Sequence, residues 1–236
     1  MRSADDLVHF AGRGLRKAGR LLMDWRSLRG IWFDVGAFRC DHTYGFVLYN
    51  PSLRVFAFEP NLQLAAKMFG GLPNVVVVPM AVAETDGCAE FNITAAPASS
   101  SLLPINDANA SRWVGGQSIS VVSRTIVPTI RLDSFMNLAG IQTVEYLKID
   151  AQGADLSVVK SLGERLKDLR KIYLEVSVTP FPDYHGSASK GEVVEFLARG
   201  DSNSLRLSCR ATVRKKISLL KIGPRMPNSD YSFGAA

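Results

Sequence analysis

The segment Lys148-Ile149-Asp150 closes an apolar run, Val144–Ile149, with a cation and a carboxylate two positions apart. Alternate side chains of a strand share a face, so Lys148 and Asp150 point one way and Ile149 the other. Two charges at the end of a buried strand are costly unless they pair or meet a ligand. A structural ion pair is one reading. The other gives Asp150 the work of orienting an acceptor or drawing off its proton. Glu175 closes the run Ile172–Val176 in the same way. The segment Pro180-Phe181-Pro182-Asp183-Tyr184-His185-Gly186 follows, with Tyr184 and His185 as candidate acceptor contacts. A lone loop histidine is ordinarily solvated, so His185 is the weaker of these.

Two other run ends carry a different chemistry. Phe33-Asp34-Val35-Gly36-Ala37 closes with a glycine that lets a ligand approach the backbone, before a helix start with unpaired N–H groups. Phe58-Glu59-Pro60 puts an acid 23 residues beyond Gly36, and the proline biases Glu59 towards extended geometry. An acid at that remove from a glycine turn can accept both hydroxyls of a ribose. An adenosine-like ligand is expected. A dinucleotide fold asks for three glycines around its pyrophosphate. Here Ala37, Phe38, Arg39 and Cys40 follow the single Gly36, which disfavours a nicotinamide oxidoreductase.

The elements that must hold these residues alternate. Ile31–Val35, Val55–Phe58, Val75–Pro79, Val144–Ile149 and Ile172–Val176 read as strands, with helices near 42–49, 62–70, 154–167 and 190–198. Such alternation predicts right-handed βαβ units and a mostly parallel sheet with helices on both faces. Leu205–Cys209 and Ile217–Ile222 predict an antiparallel hairpin that finishes the sheet. Residues 94–118 have little periodicity, and a loop of that length is usually functional. A lid or acceptor-binding loop is expected there, leading into an extended segment, Ile119–Ile130, and a helix start at Leu132. Leu7, Ala11, Leu15, Ala18, Leu22, Trp25 and Leu28 mark one face of an N-terminal helix over 1–30. That basic helix could lie on a membrane surface, pack on the main domain or meet a second subunit. The domain then spans 31–223, with a tail over 224–236.

The chain has 236 residues, 47% hydrophobic and 21% charged, enough for one substantial core and too apolar for a disordered chain. No apolar run is long enough to cross a membrane. The three cysteines, Cys40, Cys88 and Cys209, are too few and too scattered for a disulfide framework or a zinc site. A cytoplasmic protein without a metal ligand cluster is expected. The formal charge of +6 gathers at residues 1–30 and 206–225, which could be a solvated face or a polyanion surface. No RNA-binding module signature accompanies it.

Several ordered blocks together resemble the FkbM family of S-adenosylmethionine-dependent methyltransferases over about residues 31–176. They are Asp34-Val35-Gly36-Ala37, Ala57-Phe58-Glu59-Pro60, Asn74-Val75 leading to Ala81-Val82, Ser100-Ser101-Leu102, Leu132-Asp133 and Lys148-Ile149-Asp150-Ala151-Gln152-Gly153-Ala154-Asp155. The resemblance implies a Rossmann-like class I methyltransferase fold with a seven-stranded sheet and S-adenosyl-L-methionine as cofactor. It places Asp34, Gly36 and Ala37 along the methionine moiety, with Phe38 beside them. It puts Glu59 with Pro60 at the ribose, Ala81-Val82 at the adenine and Asp150 near the transferred methyl. Lys148, Glu175 and His185 complete the catalytic candidates. The family often has a small polar residue where Phe38 stands and a glycine at Cys40, so this end of the pocket is altered here. The implied activity is O-methylation of a hydroxyl on a sugar, glycolipid or secondary metabolite, with a small-molecule or glycan acceptor. A nucleic-acid methyltransferase and a non-catalytic cofactor-binding protein are the alternatives.

Overall fold

The structure, a computed structural model, describes residues 30–110, 119–177, 181–199, 205–210 and 217–224. The helix expected over 1–30 and most of the tail lie outside the described residues. The elements run β1 (Gly30–Val35), α1 (Tyr44–Tyr49), β2 (Leu53–Phe58), α2 (Leu62–Met68), β3 (Val75–Val78), β4 (Ala81–Val82) and β5 (Gly87–Thr94). After them come α3 (Asp107–Ala110), β6 (Val121–Ile130), α4 (Leu132–Leu138), β7 (Tyr146–Ile149), α5 (Asp155–Lys160), β8 (Ile172–Ser177), α6 (Lys190–Arg199), β9 (Leu205–Arg210) and β10 (Ile217–Pro224).

Seven strands form the main sheet in the order β3-β2-β1-β7-β8-β10-β9. β3 to β8 pair in parallel, whereas β10 runs antiparallel to both β8 and β9. The register aligns Val35 with Phe58 and Ile149, and Asp34 with Ala57 and Lys148. Strand alternation therefore divides the sheet cleanly. Phe33, Val35, Phe58, Leu147, Ile149 and Leu174 face α4, α5 and α6 in the larger core. Trp32, Val55, Ala57 and Val77 face α1 and α2 on the other side. Both faces carry helices, and the parallel strands are correspondingly apolar apart from Asp34, Arg54, Lys148 and Glu175.

Asn74 ties α1 to β2, donating from Nδ2 to the carbonyls of Val47, Asn50 and Leu53. The helix expected over 154–167 is shorter, ending at Lys160 with the buried Ser161 as its C-cap. The Ser161 hydroxyl and carbonyl accept the first N–H groups of α4, from Leu132 and Asp133. A separate 3₁₀ turn, Gly163–Asp168, completes the segment.

A second sheet, in the order β4-β6-β5, was not anticipated from the sequence as a unit. β6 coincides with most of the extended segment Ile119–Ile130, and β5 pairs with it antiparallel. The period-two pattern of Ala89, Phe91 and Ile93 carried the signal for β5. Part of the stretch read as loop also has structure: a 3₁₀ turn at Pro97–Ser99 and the short α3.

Candidate active site

One cavity of about 280 Å³ opens beyond the C-terminal ends of β1, β2, β7 and β8, where ligands of open α/β sheets bind. Its composition changes along the strand order. Beyond β3 the walls are apolar, made by Met80, Ala81, Val82, Phe91 and Leu102. Glu59 and Pro60 follow at β2, and Gly36, Ala37 and Phe38 at β1. The far end at β7 and β8 is polar, with Asp41, His42, Lys148, Asp150, Tyr173 and Glu175. Pro97, Ala98 and Ser100 supply the wall between, so part of the 94–118 segment does border the cavity.

Glu59 is 5% exposed, yet among the described residues no cation forms an ion pair with it. Its Oε2 accepts the Phe38 N–H at 2.8 Å and its Oε1 accepts the Asn61 N–H at 2.9 Å. Asn61 in turn caps α2, its side chain accepting from Gln63 and Leu64. Burial pushes the Glu59 carboxyl up to about 7, against the pull of the two backbone donors. Each carboxylate oxygen offers two lone pairs, so both retain capacity for a hydroxyl donor.

The turn after β1 orients those donors. Gly36 has φ +66°, and a Cβ there would lie 2.0 Å from the Asp150 carbonyl oxygen. Close packing against the exit of β7 therefore requires glycine, beyond any approach of a ligand. Phe38 also adopts a left-handed backbone, φ +54°, which aims its N–H at Glu59. Its half-buried ring borders the cavity without closing it, under the Arg39 guanidinium at 4.7 Å. Cys40 has φ +59°, a conformation glycine adopts most easily. Its buried thiol is pushed up to about 12, chiefly by desolvation.

Asp34 is placed differently from the expectation that it lines the methionine moiety. It is fully buried behind the cavity wall, accepting the Thr43 hydroxyl at 2.7 Å and facing Lys148 Nζ at 3.1 Å. Strand register explains this: Asp34 precedes the strand end and shares the face of Trp32, towards α1 and Thr43. Lys148 also donates to the Gly36 carbonyl at 2.8 Å and lies 3.8 Å from Asp150. Burial works to lower the Lys148 pKa, but the Asp34 and Asp150 carboxylates outweigh it and raise it. Lys148 borders the cavity while binding the floor together.

Asp150 and Glu175 border the polar end, as their strand positions require. His185 does not border the cavity; its side chain is exposed and its N–H is spent on the Pro104 carbonyl. Tyr184 is buried outside the lining, its hydroxyl near the Ser99 carbonyl at 2.8 Å and Gln152 Oε1 at 3.0 Å.

Sequence reasoning missed Tyr173, His42 and the side chain of Gln152. Tyr173 was legible, since it precedes Glu175 by two positions on the same strand face. His42 stacks near Tyr146 and Tyr173, and its Nε2 lies 3.3 Å from the Tyr146 hydroxyl. Nothing in its spacing announced this. The Tyr173 hydroxyl is pushed up to about 12 by burial and then by Glu175 and Asp150.

The residues present suit a nucleoside carrying a polar tail. An apolar slot, a buried acceptor-rich carboxylate and a backbone turn follow one another along one cavity. Among the described residues no group of three or more His, Cys, Asp or Glu is placed to hold a metal ion. Nor is any helix there long and apolar enough to cross a membrane.

Residues 34–204 match the family model for the methyltransferase FkbM domain. A curated relative, the 2-O-methyltransferase NoeI of Sinorhizobium fredii, is 26% identical over 164 residues, covering 62% of this chain and 63% of the relative. The chain thus matches less than two thirds of that relative's length. Among solved structures, Aeropyrum pernix fibrillarin with natively bound S-adenosyl-L-methionine has a TM-score of 0.49 and 12% identity, covering 89% of this chain and 73% of that one. A SAM-dependent methyltransferase from Aquifex aeolicus has a TM-score of 0.46 and 13% identity, covering 88% of this chain and 87% of the other.

Proposed function

Because the chain belongs to the FkbM methyltransferase family, whose methyl donor is S-adenosylmethionine, we propose that it methylates a hydroxyl of a sugar, glycolipid or secondary metabolite. The observation that carries this reading is Glu59, buried at the end of β2 with no ion-paired cation among the described residues, in the cavity that also contains the Gly36 turn and Asp150. The name of the relative NoeI, a 2-O-methyltransferase, supports a hydroxyl as the acceptor.

When bound, the donor supplies an electrophilic methyl on a sulfonium whose sulfur leaves as a neutral thioether. The protein's share is therefore chiefly alignment, which can contribute about 7–11 kcal/mol. Glu59 holds the ribose hydroxyls with the lone pairs that Phe38 and Asn61 leave available. The apolar end at Ala81, Val82 and Phe91 takes the adenine. The turn at Gly36 and Ala37, fixed by Lys148 through the Gly36 carbonyl, accommodates the amino-acid tail. Asp150 orients the acceptor and takes the proton that its hydroxyl gives up. Glu175 and Tyr173 border the same end and contact the acceptor.

The test is transfer of label from methyl-labelled S-adenosylmethionine to small molecules and glycans extracted from the source cells. Label in a hydroxyl-bearing product supports the reading; label in RNA, or in nothing, overturns it. Asp150→Asn should cut turnover about 10²–10⁴-fold while S-adenosylhomocysteine affinity stays within about threefold. Equal losses in both would return Asp150 to a structural role.

A further inference from the structure

Gln152 is one of three non-glycine residues with positive φ among the described residues, at +51°. Such a conformation persists only where the surroundings hold it, and it concentrates at functional sites. The surroundings here are its own segment at Asp150 and two separate ones. The Gln152 carbonyl accepts the Ser101 hydroxyl at 2.8 Å, from the cavity wall. Its Nε2 donates to Asp150 Oδ1 at 2.6 Å. Its Oε1 lies 3.0 Å from the Tyr184 hydroxyl, from the segment after β8.

The chemistry fixes the polarity of this chain. A carboxylate can only accept, so the amide must turn its nitrogen to Asp150 and its oxygen to Tyr184. The Tyr184 proton is then divided between Gln152 Oε1 and the Ser99 carbonyl. Burial pushes the Tyr184 hydroxyl well above its ordinary range, so it remains a donor at any physiological pH. Gly153 next door lets the Tyr184 segment come this close. A Cβ at Gly153 would lie 3.0 Å from the Tyr184 Cβ and 2.5 Å from Ser187 Oγ. The Tyr184 segment is itself docked on the wall: Ile105 and Tyr184 form a bridge, and Asn106 N–H donates to the Asp183 carbonyl.

We propose that Gln152 is a positioning residue for Asp150, and that Tyr184 acts through it to couple the cavity wall at Ser99–Ser101 to the orientation of that carboxylate. This rests on the reading of Asp150 as the group that meets the acceptor. Asp150 then presents its remaining lone pairs to the acceptor only when wall and Tyr184 segment are packed together. The packing of this wall thereby sets the geometry of the group that receives the acceptor's proton.

The experiment measures turnover with labelled S-adenosylmethionine and the hydroxyl-bearing fraction of the source extract, alongside S-adenosylhomocysteine affinity by calorimetry. Gln152→Met keeps the volume and removes both hydrogen bonds; turnover should fall at least about tenfold, with affinity within about twofold. Tyr184→Phe, outside the cavity lining, should reduce turnover about three- to tenfold with affinity unchanged. The double variant should be no slower than Gln152→Met alone, because both act on one chain of bonds. Losses that multiply, wild-type turnover in Gln152→Met, or parallel losses of turnover and affinity would each overturn the proposal. If Tyr184→Phe melts well below the wild type, Gln152→Met alone decides by the same split. A wild-type protein that transfers no label defeats the methyl-transfer reading itself, and this proposal with it; an active wild type with an indifferent Gln152 defeats only the proposal.

Discussion

Asp34 and Glu59 stand at the ends of adjacent parallel strands, both nearly inaccessible, and the protein treats them in opposite ways. Asp34 is 0% exposed, meets a cation and a hydroxyl, and is absent from the cavity lining. Among the described residues Glu59 is satisfied by two backbone N–H groups, and it borders the cavity. A buried carboxylate with its own lysine is a structural part. One held by backbone donors, with lone pairs left over, is the candidate to meet a ligand. The β1–α1 turn serves both: Phe38 donates to Glu59 and Thr43 to Asp34.

Breaking the structural half of the contrast should cost the most. Lys148→Met leaves Asp34 buried without its cation and should destabilise the fold by about 3–5 kcal/mol in urea denaturation. Adding Asp34→Asn should recover part of that loss, and no recovery would mean that Lys148 acts mainly elsewhere.

The functional half has a pH signature. Burial raises Glu59 to about 7, and burial with the neighbouring Asp150 carboxylate raises Asp155 to about 7. Between the ordinary carboxylate range and pH 7 the folded chain holds protons that the unfolded chain has released. Stability of the ligand-free protein should therefore be greatest at the acid side of this window and fall as pH rises from about 5 to 7.5. The slope is at most about 1.4 kcal/mol per pH unit for each group. Melting curves across that range check it, and Glu59→Gln should flatten the slope by one group's share. A stability that rises with pH over the window would contradict the raised Glu59 carboxyl.

The smallest effect tests the turn that links them. Cys40 lies between Phe38 and Thr43 in a left-handed conformation. Cys40→Gly should be more stable than Cys40→Ala by about 1 kcal/mol, since only the alanine retains the Cβ penalty. Equal denaturation midpoints would show that the turn relaxes.

The parallel sheet and the acid at its second strand were legible because apolar runs and strand-end positions are local signals. The motif blocks were legible too, although several do structural work: Asn74 clamps three carbonyls and Ser101 holds the Gln152 backbone. Asp34 could not be separated from Glu59 by sequence, because its partner lies 114 positions away on β7. The pairing of Gln152 with Tyr184 is equally non-local. The second sheet was missed for a different reason: its long strands are largely exposed, so alternation is blurred by residues such as Val122 and Ile126 on the open surface.

The claim on which the rest depends is that Glu59 grips the ribose of the methyl donor. Calorimetric titration of S-adenosylhomocysteine into the wild type and Glu59→Gln at pH 8 tests it directly. A loss of more than about tenfold in affinity, with the fold intact, is the expected result, since hydrogen bonds to a charged group contribute about 1.5–3 kcal/mol. Equal affinity in the two proteins would contradict it.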